Sequence, residues 1–239
     1  MARSEQRRQK KLEAKRAKRK GEQRVIARAQ SSGIPGGMAA SNRWPVARAS
    51  VSATLWDKGI GYAMLIRRGP GGLTAMAIFL LDVYCLGVKD VVARVAPDQV
   101  ISDSVARMTE RGCRWIEVSP EHVRKLVEGA LGYALSLGLA PHRDCAAAMG
   151  LFGDLDSSQC ATEFTFGSDG QPLFIAGPFD SDARIVEIAN TLRRTCGLDG
   201  FHDTVPLELP DELGEDLDGT EQHVLDLEQM DSADFRAQA

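Results

Sequence analysis

The sequence lacks any apolar run long enough to cross a membrane. Its most apolar stretch, Leu73–Asp90 with the sequence LTAMAIFLLDVYCLGVKD, is interrupted by Asp82 and Lys89, whereas a spanning helix needs about 20 apolar residues. The basic start of the chain is not followed by an apolar region, so no secretory signal is predicted. These features predict a cytoplasmic protein that makes no membrane contact.

Paired cysteines and cofactor motifs are also missing. Five cysteines are scattered along the chain without a CxxC pair, which favours reduced thiols in the cytoplasm over a disulfide framework. The sequence contains no GxGxxG, no GxxxxGK[ST] and no GxSxG. It therefore predicts no cofactor and lacks the common signatures of nucleotide-binding proteins and serine hydrolases.

Charge is strongly segregated along the 239 residues, although the net charge is only −4. Residues 1–30 contain 12 Lys or Arg and three Glu, and residues 203–239 contain 12 Asp or Glu and one Arg. The two ends therefore carry +9 and −11, and the stretch between them is close to neutral. Partners recognised through charge are expected to meet the ends of the chain rather than its middle.

The basic end, residues 1–43, comprises an arm and the Ser/Gly/Pro-rich linker SSGIPGG. The arm has no apolar stripe, so it is predicted to be disordered or a solvated helix. Residues 3–24 are predicted to contact the phosphates of RNA or of the ribosome, because basic arms do so without a fold. The alternatives are another anionic partner or a solvated tail with no partner. The residues expected to make the contact are Arg7, Arg8, Lys10, Lys11, Lys15, Arg16, Lys18, Arg19 and Lys20.

The acidic end, residues 203–239, is predicted to be a disordered tail because it is rich in acids and poor in aromatics. Within it, the segment VLDLEQM (224–230) has the composition of a short helix that docks on another protein. A protein partner is therefore predicted for the tail.

Residues 44–202 are predicted to form an α+β domain of antiparallel hairpins packed against two or three helices. Residues 62–68 and the apolar run from Leu73 flank the turn signal GPGG, which predicts a hairpin whose second strand is central and buried. A buried helix is the competing interpretation of that run. Residues 161–178 predict a second hairpin that turns at GSDG.

Start and stop signals predict three helices in the same region. The strongest start is Ser119 followed by Pro120, an N-cap and a residue favoured in the first turn. The helices are expected to run from Pro97 or Asp98 to Arg111, from Ser119 to Gly138, and from Asp180 or Ser181 to Gly197.

The first candidate site is Asp82 with Lys89 and Asp90. A carboxylate inside an apolar strand is costly unless it is paired or hydrogen-bonded, so Asp82 has either a structural partner or a functional role. If Asp82 and Asp90 face one cleft, their oxygens suit a divalent cation.

The second candidate site combines His142, Asp144 and Cys145 with Asp154 and Asp156. A histidine with carboxylates supports metal-assisted hydrolysis, and a cysteine with a histidine base supports nucleophilic catalysis. The spacing matches no established metal signature, and Asp side chains in a loop also cap the local backbone. The sequence leaves these three explanations open.

Three segments resemble an uncharacterised bacterial protein family. They are DVYCLGVKD (82–90), LGLAPH (137–142) and FGSDGQPLFIAGPFDS (166–181). The resemblance covers residues 46–202, leaves both charged ends outside, and implies no activity or site residue.

These patterns predict a cytosolic nucleic-acid-associated binding protein, linked to RNA or the ribosome, whose basic arm is screened by its acidic tail. Two hypotheses from other classes stand beside it. One is a metal-assisted hydrolase that uses the carboxylates and His142. The other is a protein-interaction module that docks through its tail.

Overall fold

A computed structural model describes residues 37–177 and 180–204 of the chain. The predicted arm contacts and the tail beyond residue 204 lie outside these described residues. The strands are β1 (Val46–Ser52), β2 (Ile60–Arg68), β3 (Leu73–Asp82), β4 (Gly87–Pro97), β5 (Trp115–Glu117), β6 (Leu173–Ile175) and β7 (His202–Thr204). The helices are α1 (Gly37–Ser41), α2 (Leu55–Lys58), α3 (Asp98–Glu110), α4 (Pro120–Ser136), α5 (Cys145–Met149) and α6 (Asp182–Cys196). Two 3₁₀ turns span Pro70–Gly72 and Ser157–Gln159.

Five strands form an antiparallel sheet in the order β4-β3-β2-β1-β5. The hairpin predicted around GPGG is confirmed, with β2 and β3 paired from Ile60↔Asp82 to Arg68↔Thr74. Its turn depends on glycine, because Gly71 and Gly72 both have positive φ, at 66° and 75°. β3 is buried and has a partner strand on each side, as its continuous apolar sequence predicts.

Helices cover both faces of this sheet. Because side chains alternate along a strand, Ala77 and Phe79 point to one face and belong to the core cluster that includes Val123, Leu126 and Val127 of α4. The buried side chains of Met76 and Ile78 point to the opposite face, where α3 packs on β3 and β4. The chain is therefore an α+β fold with a central sheet between helical layers.

The helix starts follow the predicted capping signals. The Ser119 hydroxyl accepts a hydrogen bond from the backbone amide of His122, and the Ser181 hydroxyl accepts one from that of Arg184. Each bond satisfies an amide that has no partner inside its helix. The predictions for α3, α4 and α6 are confirmed to within two residues at every end.

The apolar stretch Leu73–Asp90 contributes to two strands, whereas the sequence predicted a single central strand from Leu73. β3 ends at Asp82, residues 83–86 turn, and β4 begins at Gly87. Gly87 has a φ of 67°, and a Cβ at this position would lie 2.5 Å from the carbonyl oxygen of Ala130 in α4. The run therefore forms a second hairpin, and its turn lies tightly against α4.

The hairpin predicted for residues 161–178 is wrong. The turn at GSDG exists, because the amide of Ser168 donates to the carbonyl of Gln171 at 2.8 Å. However, residues 161–167 form no strand, and β6 pairs in parallel with β7 instead. The reason is that Phe164 and Phe166 pack against other aromatic rings and do not face β6 across a ladder.

The described fold extends beyond the predicted limits of 44 and 202. Helix α1 falls within residues 1–43, the stretch assigned to the arm and its linker, and its Met38 is only 2% exposed within the main core. At the other end, β7 continues to Thr204. None of the helices within residues 37–177 and 180–204 combines the length and apolar character needed to cross a bilayer.

Candidate functional site

The two candidate sites that are separate in sequence meet at His142. Its Nε2 lies 3.6 Å from Oδ1 of Asp90, and its Nδ1 lies 4.0 Å from Oδ2 of Asp144. All three side chains are largely buried, with between 17% and 29% of their surface exposed. The arrangement brings the segment before α5 onto the start of β4.

The imidazole of His142 lies between two carboxylate-bearing segments. Nδ1 accepts a hydrogen bond from the backbone amide of Asp144 at 3.3 Å, so a neutral ring carries its proton on Nε2, which faces Asp90. Asp90 in turn accepts from the backbone amide of Val91 at 2.7 Å. The His142 ring therefore lies between two segments of the fold, with Nδ1 hydrogen-bonded to the backbone and Nε2 facing Asp90 at 3.6 Å.

Asp82 has a structural partner. Its Oδ1 accepts hydrogen bonds from the backbone amides of Tyr84 and Cys85, at 3.0 and 2.8 Å, and so holds the β3–β4 turn. Burial raises the pKa of Asp82 to about 6, and the amides and the nearby Lys89 oppose that rise. Of the two roles open from sequence, the contacts favour the structural one.

Cys145 is placed as an unreactive core thiol. It is 2% exposed within the main core, and burial raises its pKa to about 11. The nucleophile in cysteine catalysis is the thiolate, which such a pKa disfavours at neutral pH.

The two loop carboxylates have different roles. Asp156 caps a 3₁₀ turn, because its Oδ1 accepts a hydrogen bond from the amide of Ser158 at 2.9 Å. Hydrogen bonds from the side chain and then the amide of Ser158 lower the pKa of Asp156. Asp154 is exposed and acts electrostatically on the buried Arg67. Within residues 37–177 and 180–204, no three His, Cys, Asp or Glu side chains gather closely enough to hold a metal ion.

Two arginines that sequence reasoning missed hold the loop carrying these carboxylates. Arg67, 6% exposed, donates to the carbonyls of Leu151 (2.9 Å), Phe152 (2.9 Å) and Trp44 (2.6 Å). Arg124 of α4 donates to the carbonyls of Gly153 and Leu155, and to Glu128 at 2.6 Å. The burial of Arg67 could have been inferred from its position in β2. Side chains alternate between the two faces along a strand, so Arg67 lies on the same face as the inward-pointing Leu65.

A cleft on the opposite sheet face was not predicted either. It has a volume of about 580 Å³ and lies between α3 and the strands β1 and β2. It exists because α3 packs mainly on β3 and β4, which leaves the far half of that face less covered. Ile66, Ile101 and Val105 form its apolar part, and Arg48 and Arg68 reach it from the sheet.

Comparisons of this chain with models of protein families, with curated protein sequences and with solved structures found no match.

Proposed function

We propose that this protein is a cytoplasmic RNA-associated binding protein whose basic arm contacts phosphates and whose acidic tail competes for that arm. The proposal rests on the charge distribution of the chain. The two ends carry net charges of +9 and −11, and the stretch between them is nearly neutral. Arms with this charge gain affinity for polyanions by releasing counterions. A tail of opposite charge in the same chain screens the arm until a stronger polyanion displaces it.

The contacts of the described residues favour binding over hydrolysis. Asp82 and Asp156 cap the backbone, His142 bridges two segments, and the thiol of Cys145 is held protonated in the core. Four of the side chains proposed for catalysis or metal binding therefore have structural roles. The folded part is then best understood as the body that carries the charged ends and adds specificity.

Removal of the tail tests the proposal. The deletion should begin at residue 205, since β7 reaches Thr204. Binding of a short fluorescein-labelled single-stranded RNA, followed by anisotropy at low salt, is expected to tighten several-fold on deletion. The gain should shrink as salt rises, because screening weakens both the arm–RNA and the arm–tail attraction.

Two charge variants of the full chain complete this experiment. Replacing the nine basic arm residues named above by Gln should abolish RNA binding and flatten its salt dependence. A tail of unchanged length with its acids replaced by Asn or Gln should bind as the deletion does. Equal RNA affinity with and without the acidic tail would rule out competition, and retention of binding by the Gln arm would remove the arm from the interface.

A further inference from the structure

Two of the five free cysteines lie in one apolar cluster that is distinct from the main core. Cys85, in the turn between β3 and β4, is fully buried there together with side chains of α4, β6 and α6. Cys196, the last residue of α6, packs against this cluster and is half-buried. The two thiols are far apart in the sequence but belong to one packed group.

The end of α4 supports both of the segments that carry these cysteines. The β3–β4 turn packs on Ala134, since a Cβ added at Gly87 would lie 2.7 Å from the Cβ of Ala134. The last turn of α6 packs just beyond the end of α4, since a Cβ added at Gly138 would lie 3.1 Å from Oγ1 of Thr195. The amide of Leu139 donates back to the carbonyl of Ala134 at 3.0 Å, so the chain stays coiled between these two contacts. The turn and the end of α6 therefore contact positions about one helical turn, or about 6 Å, apart.

Residue spacing along α6 directs Cys196 towards the buried part of the cluster. Ile188, Leu192 and Cys196 follow one another at intervals of four, so they share one face of the helix. Ile188 and Leu192 are 1% and 0% exposed in the cluster that contains Cys85. Cys196 therefore extends this inward-facing stripe by one turn.

The electrostatics of the cluster agree with that placement. Burial raises the pKa of the Cys85 thiol most, Asp82 raises it further, and Cys196 is close enough to add to the effect. Burial also raises the pKa of Tyr133 to about 12, and Cys85 and Cys196 both contribute to that rise. Tyr133 thus lies near both thiols.

We propose that Cys85 and Cys196 form a reversible disulfide bond when the folded protein reacts with a hydroperoxide. The thiolate of Cys196 attacks one oxygen of hydrogen peroxide and the O–O bond breaks, which gives a sulfenic acid and, after proton transfer, one water. The sulfur of Cys85 then attacks the sulfenic sulfur, and the hydroxyl group leaves with the thiol proton of Cys85 as a second water. The two thiols lose two electrons in total, and one peroxide is reduced to two waters.

The difference in burial assigns the order of these two steps. Cys196 is the less buried thiol, so hydrogen peroxide reaches it first, whereas Cys85 is shielded until the sulfenic acid forms beside it. An accessible cysteine beside a resolving cysteine is typical of redox sensors, and transient disulfides of this kind occur in reducing compartments. The bond would tie the end of α6, from which residues 197–204 lead towards the acidic tail, to the β3–β4 turn. This modification is independent of the proposed binding of RNA.

Peptide mapping of the full chain tests the proposal. The native protein is treated with a small excess of hydrogen peroxide, blocked with N-ethylmaleimide and digested with trypsin without reduction. Trypsin places Cys85 in peptide 69–89 and Cys196 in peptide 195–236, each with no other cysteine. We expect these two peptides to be recovered as one species whose mass is their sum less two hydrogen atoms. Dithiothreitol should separate them again.

Three single variants separate the roles of the thiols. Cys196→Ser should abolish the cross-link and leave the thiol of Cys85 reduced. Cys85→Ala should leave the sulfenic acid of Cys196 without its partner, so that dimedone traps it in several-fold greater yield than in the wild-type chain. Cys113→Ala, which removes a buried thiol outside the cluster, is the matched control and should leave the cross-link unchanged.

The wild-type chain alone can overturn the proposal, so the result does not depend on whether every variant folds. Absence of the cross-linked species would do so, as would its formation only when urea is present during oxidation, because the two thiols would then not be adjacent in the fold. Recovery of Cys196 only as its sulfinic acid, or joined to Cys196 of a second chain, would equally remove Cys85 as its partner.

Discussion

Arg67 and Arg124 bind successive parts of one loop from two different layers of the fold. Arg67 reaches from β2 to the carbonyls of Leu151 and Phe152, and Arg124 reaches from α4 to that of Gly153 at 2.9 Å. Buried carbonyl groups need a donor, and this loop obtains its donors from side chains rather than from a sheet. The loop is thus fixed by two charged groups.

Replacing Arg67 by Met should destabilise the fold strongly. Three carbonyls would lose a charged donor, and hydrogen bonds to charged groups contribute about 1.5–3 kcal/mol each, so a loss of at least about 3 kcal/mol in the free energy of unfolding is expected. Urea unfolding followed by circular dichroism measures it. Arg68→Met is the matched control one residue away, where an exposed ion pair contributes less than about 1 kcal/mol. Similar losses in both variants would contradict the role given to Arg67.

Asp82→Asn should stabilise the protein at alkaline pH and lose that advantage in acid. Burial raises the pKa of Asp82 from its ordinary value of 3.8 to about 6 in the fold, so its charged form is disfavoured by folding. The destabilisation by the charged carboxylate is complete above about pH 7 and decreases as the pH falls through 6. It is absent below the pKa that Asp82 has in the unfolded chain. The difference in the pKa of Asp82 between the folded and unfolded chain corresponds to about 2–3 kcal/mol in the free energy of unfolding.

Urea unfolding between about pH 4.5 and pH 8 measures this difference. An asparagine oxygen can still accept from the amides of Tyr84 and Cys85, so the turn is retained. Asp103→Asn, an exposed site that accepts from Gln99, serves as the control and should show no such trend. A loss of stability in Asp82→Asn that is equal at every pH would show that the carboxylate charge is needed in the turn.

Gly59→Ala should be far more destabilising than Gly71→Ala. Both glycines have positive φ, at 72° and 66°, so both substitutions incur about 1–2 kcal/mol of backbone strain. Only at Gly59 would the new Cβ overlap a ring, 2.0 Å from Cδ2 of Tyr84, whereas nothing lies within 4 Å at Gly71. Overpacking adds about 1–3 kcal/mol. Thermal unfolding compares the two, and adding Tyr84→Ala should recover part of the loss at Gly59 if the ring is responsible.

Native thiol labelling should modify one cysteine quickly. Cys196 is half-buried, whereas the other four thiols are buried, and burial raises the pKa of Cys113 and Cys145 to about 11. Reaction with iodoacetamide near pH 8, followed by peptide mass mapping, should therefore favour Cys196. Unfolding in urea should expose all five. Rapid modification of Cys145 in the folded protein would restore it as a candidate nucleophile.

Local signals in the sequence predicted most of the fold, because they act over a few residues. The Ser119–Pro120 start and the GPGG turn each depend on side chains next to the backbone they order. The break after Asp82 could not be seen in the same way. An acidic residue in an apolar run gives the same sequence pattern whether it faces a cleft or caps a turn. Only the backbone amides that donate hydrogen bonds to it distinguish the two cases.

The remaining errors came from partners distant in sequence. β6 pairs with residues 202–204, next to the acidic tail, where no strand pattern is visible. Likewise, the meeting of Asp90 with His142 depends on how the segment before α5 crosses β4. The cleft arises from the angle at which α3 crosses the sheet, and no spacing within α3 specifies that angle. Long-range geometry of this kind leaves little trace in local composition.

The bond between Asp90 and the amide of Val91 also bears on how copies of the chain avoid one another in solution. β4 forms an outer edge of the sheet, and such an edge invites another strand to add by hydrogen bonding. The Asp90 carboxylate accepts a hydrogen bond from the amide of Val91 near the start of β4. The pairing with β3 shifts in register at Lys89, which bends β4 at that point. The strand ends at Pro97. An incoming strand would therefore meet an interrupted row of hydrogen-bonding groups along this edge.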